Sequence, residues 1–386
     1  MLTMAVGHSD DVDPDEAIAE VIAACRERLA GEAPQAGILM AAMSAFDPSI
    51  IDAVHDAFPG VRIVGVTSGG EVSSSAGYRV DSLSLVLFAS DDVQVRVGFA
   101  RGLESDVDGP CRAAVEEAMT DLTEAPRLCL VLTDAFATDP SSVLESVRAA
   151  LPTGVDVVGG AAASGNLMKP RPTFQFSDGP VGEGGVGILL FAGPIVHSVA
   201  VGTGWRPIGT TGVVTDIAFN ELREIDGRPA LEFVSRYLDS TGPASYGNPL
   251  AVYEDGAEEP YLRVALRSDP ETGAITIGGS APLGARVSLT TASTDDILGG
   301  VTNALARAAA TFPADATPEA ALLFSCTVRQ FLLGSRTGQE TELARAALGP
   351  ELPFAGLYCN GEIGPGGPGG ESRFLNESFV NVLLGS

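Results

Sequence analysis

The chain has 386 residues, 45% of them hydrophobic and 19% charged, so it can bury a large interior and does not read as an extended disordered polymer. Fifty acidic side chains stand against 23 basic ones, for a formal charge of -27, and Lys169 is the only lysine. Such a surface repels phosphate backbones and anionic lipid, which argues against nucleic acid partners and membrane insertion and fits a role in solubility.

No basic start leading into an apolar run and no apolar stretch of about 18 residues is found in the sequence. Its five cysteines, at 25, 111, 129, 326 and 359, are spread through mostly apolar runs without metal-ligand spacing. The expectation is a cytoplasmic protein of two or three domain-sized lobes.

Read from the N-terminus, one succession of elements recurs three times. A short strand over 4–7 precedes a helix with Ala17, Ile18, Val21, Ile22, Cys25 and Leu29 on one face. The continuous apolar run GILMAAM at 37–43 predicts a strand buried on both faces. Asp47-Pro48 opens a second helix, with Asp as its cap and Pro at its first position. VRIVGVTSGGEV at 61–72 predicts a strand and a glycine-rich turn, and a strand over 83–88 closes the unit.

The second unit has a strand over 93–98 and a helix with Cys111, Ala114, Val115, Ala118, Met119 and Leu122 on one face. Next come an apolar strand over 128–133, a helix opened by Asp139-Pro140, VDVVGGAAASGN at 155–166 and a closing strand over 185–191. The third unit is predicted to open with a strand over 286–289, followed by a helix bearing Ile297, Leu298, Val301, Ala304, Leu305 and Ala308. AALLFSC from 320, LPFAGLYCNGEI at 352–363 and a closing strand over 379–384 complete it, without the Asp-Pro pair. Residues from about 200 to 285 form an insert with its own strands and a helix near 231–238.

The predicted fold is therefore α/β and multi-layered, built from three internal β-α-β-α-β-β repeats with sheets covered by helices. Two lobes are expected, 1–193 and 194–386, divided near Gly193-Pro194.

The segments IVGVTSGGEV and GGVGILLF resemble the N-terminal domain of the FIST family. GWRPIGTTGVVTDIAFNELREIDGRPALEFVSRYL, LLFSCTVRQFLLG and PFAGLYCNGEIGP resemble its C-terminal domain, and the likeness spans about residues 5–385. The resemblance implies an intracellular sensory protein that binds a small ligand, amino acids being one proposed class, without catalysis. It also implies a separate signalling output protein as partner, because both domains fill this chain. The alternative that the family raises is a haem-binding sensor of a gas, nitric oxide.

The candidate site follows from the glycine-rich turns, where a strand end brings backbone amides and one side chain to the sheet edge. Gly65, Gly70 and Glu71 of the first turn match Gly356, Gly361 and Glu362 of the third. The second turn keeps Gly159 but has Gly165 in place of the carboxylate, with Asn166 beside it. Glu71 and Glu362 are read either as receivers of a ligand cation or as caps of nearby amides beside Gly70 and Gly361.

The donor fork of Arg329 suits a carboxylate. Arg329 and Glu362 are thus expected either to hold the two ends of an amino acid or to brace the turn as a salt bridge. Asn360 and Cys326 stand beside them, and Asn376 either pins the last strand or reaches the pocket. Cys326 and Cys359 would be nucleophiles if a base were near, but no histidine lies close in sequence and a thiol enzyme is the least favoured reading. Of His8, His55 and His197, His8 is the ligand that a haem iron would take; otherwise neither a metal site nor a cofactor is expected. The run GPGGPGG at 364–370 is a loop or a lid, and Trp205, the sole tryptophan, is read as filling core space.

Overall fold

The computed structural model describes residues 1–386 except 166–171, 180, 239–245, 255–258 and 368, so Asn166 lies outside the described residues. The first unit runs β1 (Thr3–Ser9), α1 (Pro14–Leu29), β2 (Ala36–Ala42), α2 (Ser49–Ala57), β3 (Arg62–Ser68), the hairpin β4 (Glu71–Ser73) and β5 (Gly77–Arg79), and β6 (Leu83–Ala89). The six apolar positions predicted for α1 are its buried ones, and Asp13 caps it by accepting from the amide of Asp15. The carboxylate of Asp47 accepts from the Ser49 amide at 2.9 Å, which satisfies a free donor at the start of α2.

The second unit runs β7 (Gln94–Arg101), α3 (Asp108–Met119), β8 (Pro126–Thr133), α4 (Pro140–Ala150), β9 (Asp156–Ala161), β10 (Gln175–Phe176) and β11 (Gly185–Ala192). β12 (Val196–Gly202) follows, and then the insert: β13 (Arg206–Ala218), β14 (Glu221–Ile225), β15 (Arg228–Pro229), α5 (Ala230–Ser235), β16 (Leu250–Tyr253), β17 (Tyr261–Arg263), β18 (Ala265–Ser268), β19 (Ile275–Ile277) and β20 (Arg286–Thr291). The chain ends with α6 (Thr294–Thr311), β21 (Ala320–Cys326), α7 (Thr327–Leu333), α8 (Gly338–Leu348), β22 (Phe354–Cys359), β23 (Glu362–Pro365), β24 (Ser372–Leu375) and β25 (Phe379–Gly385).

One expected strand is misplaced. The stretch at 286–289 lies in β20, which pairs with β13 and β16 in the sheet of the insert. The strand that α6 crosses is β12, paired along its length with β25 as β1 is with β6. A glycine of close approach lies in each of β1, β7 and β12. A Cβ on Gly7 would lie 2.2 Å from the Val21 carbonyl oxygen, on Gly98 1.8 Å from that of Ala114, and on Gly202 1.9 Å from that of Gly300. In each case a helix sits directly on the last part of its opening strand, a closeness only a bare backbone allows.

Three mixed sheets result, of order β1-β6-β2-β3-β10, β7-β11-β8-β9-β23-β24 and β12-β25-β21-β22-β4-β5. The first four positions follow one pattern, and a visiting segment fills the far edge. β10 of the second unit pairs with β3, the β23–β24 hairpin with β9, and the β4–β5 hairpin with β22. One apolar face of each sheet meets the others in a shared core that includes Met40, Val64, Leu130, Leu132, Phe324 and Val380. The opposite faces pack under α1–α2, under α3–α4 and under α6 with α8. The chain is thus a mixed α/β protein whose sheets are covered by helices. Among the described residues no helix is long and apolar enough to cross a membrane.

Candidate functional site

Each glycine-rich turn stands where the chain leaves one sheet for the next. Gly70 and Gly361 adopt φ of +148° and +122°, the region that glycine enters freely. The next residue is the glutamate. Glu71 is fully buried and accepts hydrogen bonds from the hydroxyls of Ser68 and Ser82. Burial outweighs those bonds and raises its carboxyl to about 7. Glu362, equally buried, accepts from Ser378 Oγ at 2.7 Å, the Ser378 amide at 3.1 Å and Cys359 Sγ at 3.4 Å. Burial raises it to about 8. Both carboxyls tie the start of a visiting strand to the start of their own unit's closing strand.

The second unit meets this need differently. Equivalent bonds from Ala42 N to Ser82 O, Asp134 N to Gly185 O and Cys326 N to Ser378 O place Asp134 level with Ala42 and Cys326. The buried Asp134 carboxylate accepts from the amides of Gly184, Phe136 and Ala137 at 3.0, 2.6 and 2.7 Å. A carboxylate therefore stands at this corner too, supplied by the residue that follows β8.

Arg329 does not pair with Glu362. It is 0% exposed, and Nη2 and Nε donate to Glu340 Oε1 at 2.6 and 3.0 Å. Its other bonds run to the carbonyls of Thr203, Ile297 and Glu377. A guanidinium so engaged and enclosed has no fork left for a ligand carboxylate. The expected two-ended grip between Arg329 and Glu362 is thus corrected to a buried brace between α7 and α8, in which Glu340 also accepts from Ser325 and Tyr358.

His8 is hydrogen-bonded through Nδ1 to Ser73 Oγ at 2.8 Å and through Nε2 to Ser82 Oγ at 3.0 Å. Burial, helped by Arg79, lowers its pKa to about 4. Both nitrogens are committed to serines, so neither is free for an iron, which corrects the haem assignment at this residue. Cys326 and Cys359 face each other in register on β21 and β22, and burial, with Glu362 adding to it, pushes both thiols well above their ordinary range. Such thiols stay protonated and are poor nucleophiles. All five cysteines are free and buried.

Three of the expected residues do come together. Cys326, Asn360 and Asn376 line a cavity of about 610 Å³ at the C-terminal ends of β8 and β21, bordered on another side by residues of the insert. Thr327 Oγ1 donates to Asn360 Oδ1 at 2.9 Å, and Asn376 Oδ1 accepts from the Val264 amide at 3.1 Å, so both side chains are held in place. Glu71, Gly70, Glu362, Gly361 and Arg329 do not line it. The β8–α4 loop contributes Phe136 and Asp139, and the β13–β14 turn contributes Phe219 and Asn220.

Sequence reasoning does not find these four. Asp139 reads there only as a helix cap, a role it keeps by accepting from Ser141 N at 3.1 Å. Phe136 and Phe219 are 55% and 62% exposed, and large apolar residues left on loops are the signal that could have found them.

The FIST N domain model matches residues 35–228 and the FIST C domain model residues 230–365. An uncharacterized protein of Mycobacterium tuberculosis (strain ATCC 25618 / H37Rv) is 28% identical over 378 residues, covering 94% of this chain and 95% of the relative. Another, of Mycobacterium bovis (strain ATCC BAA-935 / AF2122/97), is 26% identical over 384 residues, covering 94% of each. Among solved structures, cyanuric acid hydrolase from A. caulinodans aligns with a TM-score of 0.37 at 9% identity, over 100% of this chain and 99% of that one. At that level it carries no statement about chemistry. The two domain models together span most of the sequence, and the chain belongs to the FIST family.

Proposed function

We propose that this protein is a non-catalytic small-ligand sensor whose ligand occupies the cavity between β8, β21 and the insert. FIST domains are associated with sensory signal transduction, which supports the general role. One observation carries the site: three distant parts of the chain converge on a hollow of ligand size, lined by apolar groups and a few fixed polar ones.

The lining favours an uncharged ligand over an amino acid. Among the described residues it contains no Arg, Lys or His, and the charge of Asp139 is turned to its own helix. A zwitterion would lose hydration there without a cationic partner in return. The Asn220 side chain has no hydrogen-bond partner among the described residues, and with the amide of Asn360 it offers donors and acceptors to neutral carbonyl, amide or hydroxyl groups. The signal then leaves through a separate output protein, in a reducing compartment that suits five free thiols.

A thermal-shift screen of neutral and zwitterionic metabolites against the full chain tests this, since a ligand selective for the folded state raises Tm. Neutral compounds are expected to supply the hits, and Asn360→Ala and Asn220→Ala should each weaken them by about tenfold or more. A broad screen without a shift at millimolar concentration, or hits indifferent to both substitutions, would overturn the assignment.

A further inference from the structure

We infer a second ligand site, for a small carboxylate with an apolar or aromatic body, in a cavity of about 570 Å³ that shares only Asn376 with the first. Its walls come from β12, β17 and α6, and Pro365, Gly366, Gly367 and Gly369 of the glycine run form part of its lining.

The feature that points to an anion is Arg307. It lies in the cavity wall, and its only hydrogen bond among the described residues runs from Nη2 to the Val201 carbonyl. Nε is buried without a partner among the described residues, and Nη1 stands 3.6 Å from Glu259 Oε2. Compared with Arg329, whose donors are engaged throughout, Arg307 is under-used. The Glu259 contact is weak: both side chains are about half exposed, and solvent screens a pair of that kind. A carboxylate offers the guanidinium two parallel charge-assisted bonds, a better match than one oxygen beyond hydrogen-bond reach.

The body of the ligand follows from the other walls. Trp205 lines the cavity, and its indole N–H is already given to the Gly247 carbonyl at 3.3 Å, which leaves the ring as apolar surface. Tyr261, Leu262 and Pro207 extend that surface. Trp205 also fills core space as expected, packed with Ala251, Leu262, Ile297, Leu298 and Leu333. The surrounding charge adds weight, because a surface carrying -27 does not collect anions non-specifically, so a bound carboxylate must be held by local contacts.

Benzoate, phenylacetate and hexanoate, each beside its neutral amide, serve as probes. The full chain is titrated with each while the emission of Trp205, its only tryptophan, is followed. At least one acid should change that emission saturably below about 10 mM, with its amide about tenfold weaker or worse. Arg307→Met should erase the preference for the acid, Arg307→Lys should keep part of it, and Arg223→Met, a charge removal outside the cavity lining, should leave it intact. Melting curves of each variant establish that it is folded; should Arg307→Met not fold, unchanged affinity in Arg307→Lys together with equal binding of acid and amide decides against the site. No saturable response to any acid, equal response to acids and amides, or an unaltered preference in Arg307→Met overturns the inference.

Discussion

Glu71 and Glu362 are carboxyls that the fold removes from water and surrounds with hydroxyl, thiol and amide donors instead of cations. Each holds its proton more tightly in the native chain than the ordinary value of 4.5 allows, to about 7 and about 8. Their contribution to stability is therefore full below pH 4.5 and is lost as pH climbs through 7 and 8, the reverse of a salt-bridged acid, with a slope of about 1.4 kcal/mol per pH unit for each group. Denaturant titrations between pH 5 and 9 should show stability falling with rising pH. Glu71→Gln and Glu362→Gln should each flatten that slope and be more stable than the parent at pH 8.5; a parent with stability level across this range would contradict the account. The register of these glutamates is legible in the sequence because glycine spacing fixes it. The partner of Arg329 is not, since nearness in sequence to Cys326 and Asn360 says nothing about where a side chain turns after a strand end. A trace does exist in α8, where Glu340 lies on the same buried face as Thr341 and Ala344, and a carboxylate on a buried face asks for a buried cation.

The strands that read most plainly are those buried on both sides. β2, β8, β21 and the closing strands β6, β11 and β25 carry continuous apolar runs that leave little freedom of assignment. β12 escapes for the converse reason: VHSVAVG alternates between buried and half-buried positions, and the insert separates it from the helix that covers it. The stretch expected in its place, in β20, is a genuine strand of the wrong sheet. The glycine of close approach is the better marker, and it carries a prediction. Gly98→Ala would bring a methyl group within 1.8 Å of the Ala114 carbonyl oxygen, so α3 must lift from β7. Overpacking of this kind costs about 1–3 kcal/mol, and the loss should show in denaturant midpoints. Gly31→Ala also removes a glycine, but its Cβ would meet nothing within 4 Å; although φ of +98° strains it, it should leave the packing of α1 on β1 intact. Hydrogen exchange should accordingly accelerate in α3 and β7 for Gly98→Ala, and unaltered exchange there would show that the contact is not tight.

The exchange of edge strands is invisible in the sequence, because a hairpin of three or four residues per strand pairs as well with one sheet as another and its partner lies hundreds of positions away. It governs how the molecule divides. The β4–β5 hairpin belongs by sequence to residues 1–193 yet completes the sheet of β22, while β23–β24 belongs to 194–386 yet completes the sheet of β9. A cut near Gly193 would leave β9 and β22 each with an open edge flanked by buried apolar side chains, the kind of edge that aggregates. It would also divide the central core, in which Met40 and Leu130 meet Phe324 and Val380. Residues 1–193 and 194–386 expressed separately should therefore be insoluble or unfold without a cooperative transition, and together they should copurify as a one-to-one complex that melts as one unit. If either half alone shows a sharp melt and dispersed amide resonances, the sheets close without their visitors and the two lobes are independent. If neither does, the candidate cavity, built from loops of both halves, exists only in the assembled chain, and anything that binds there reports on the integrity of the whole molecule.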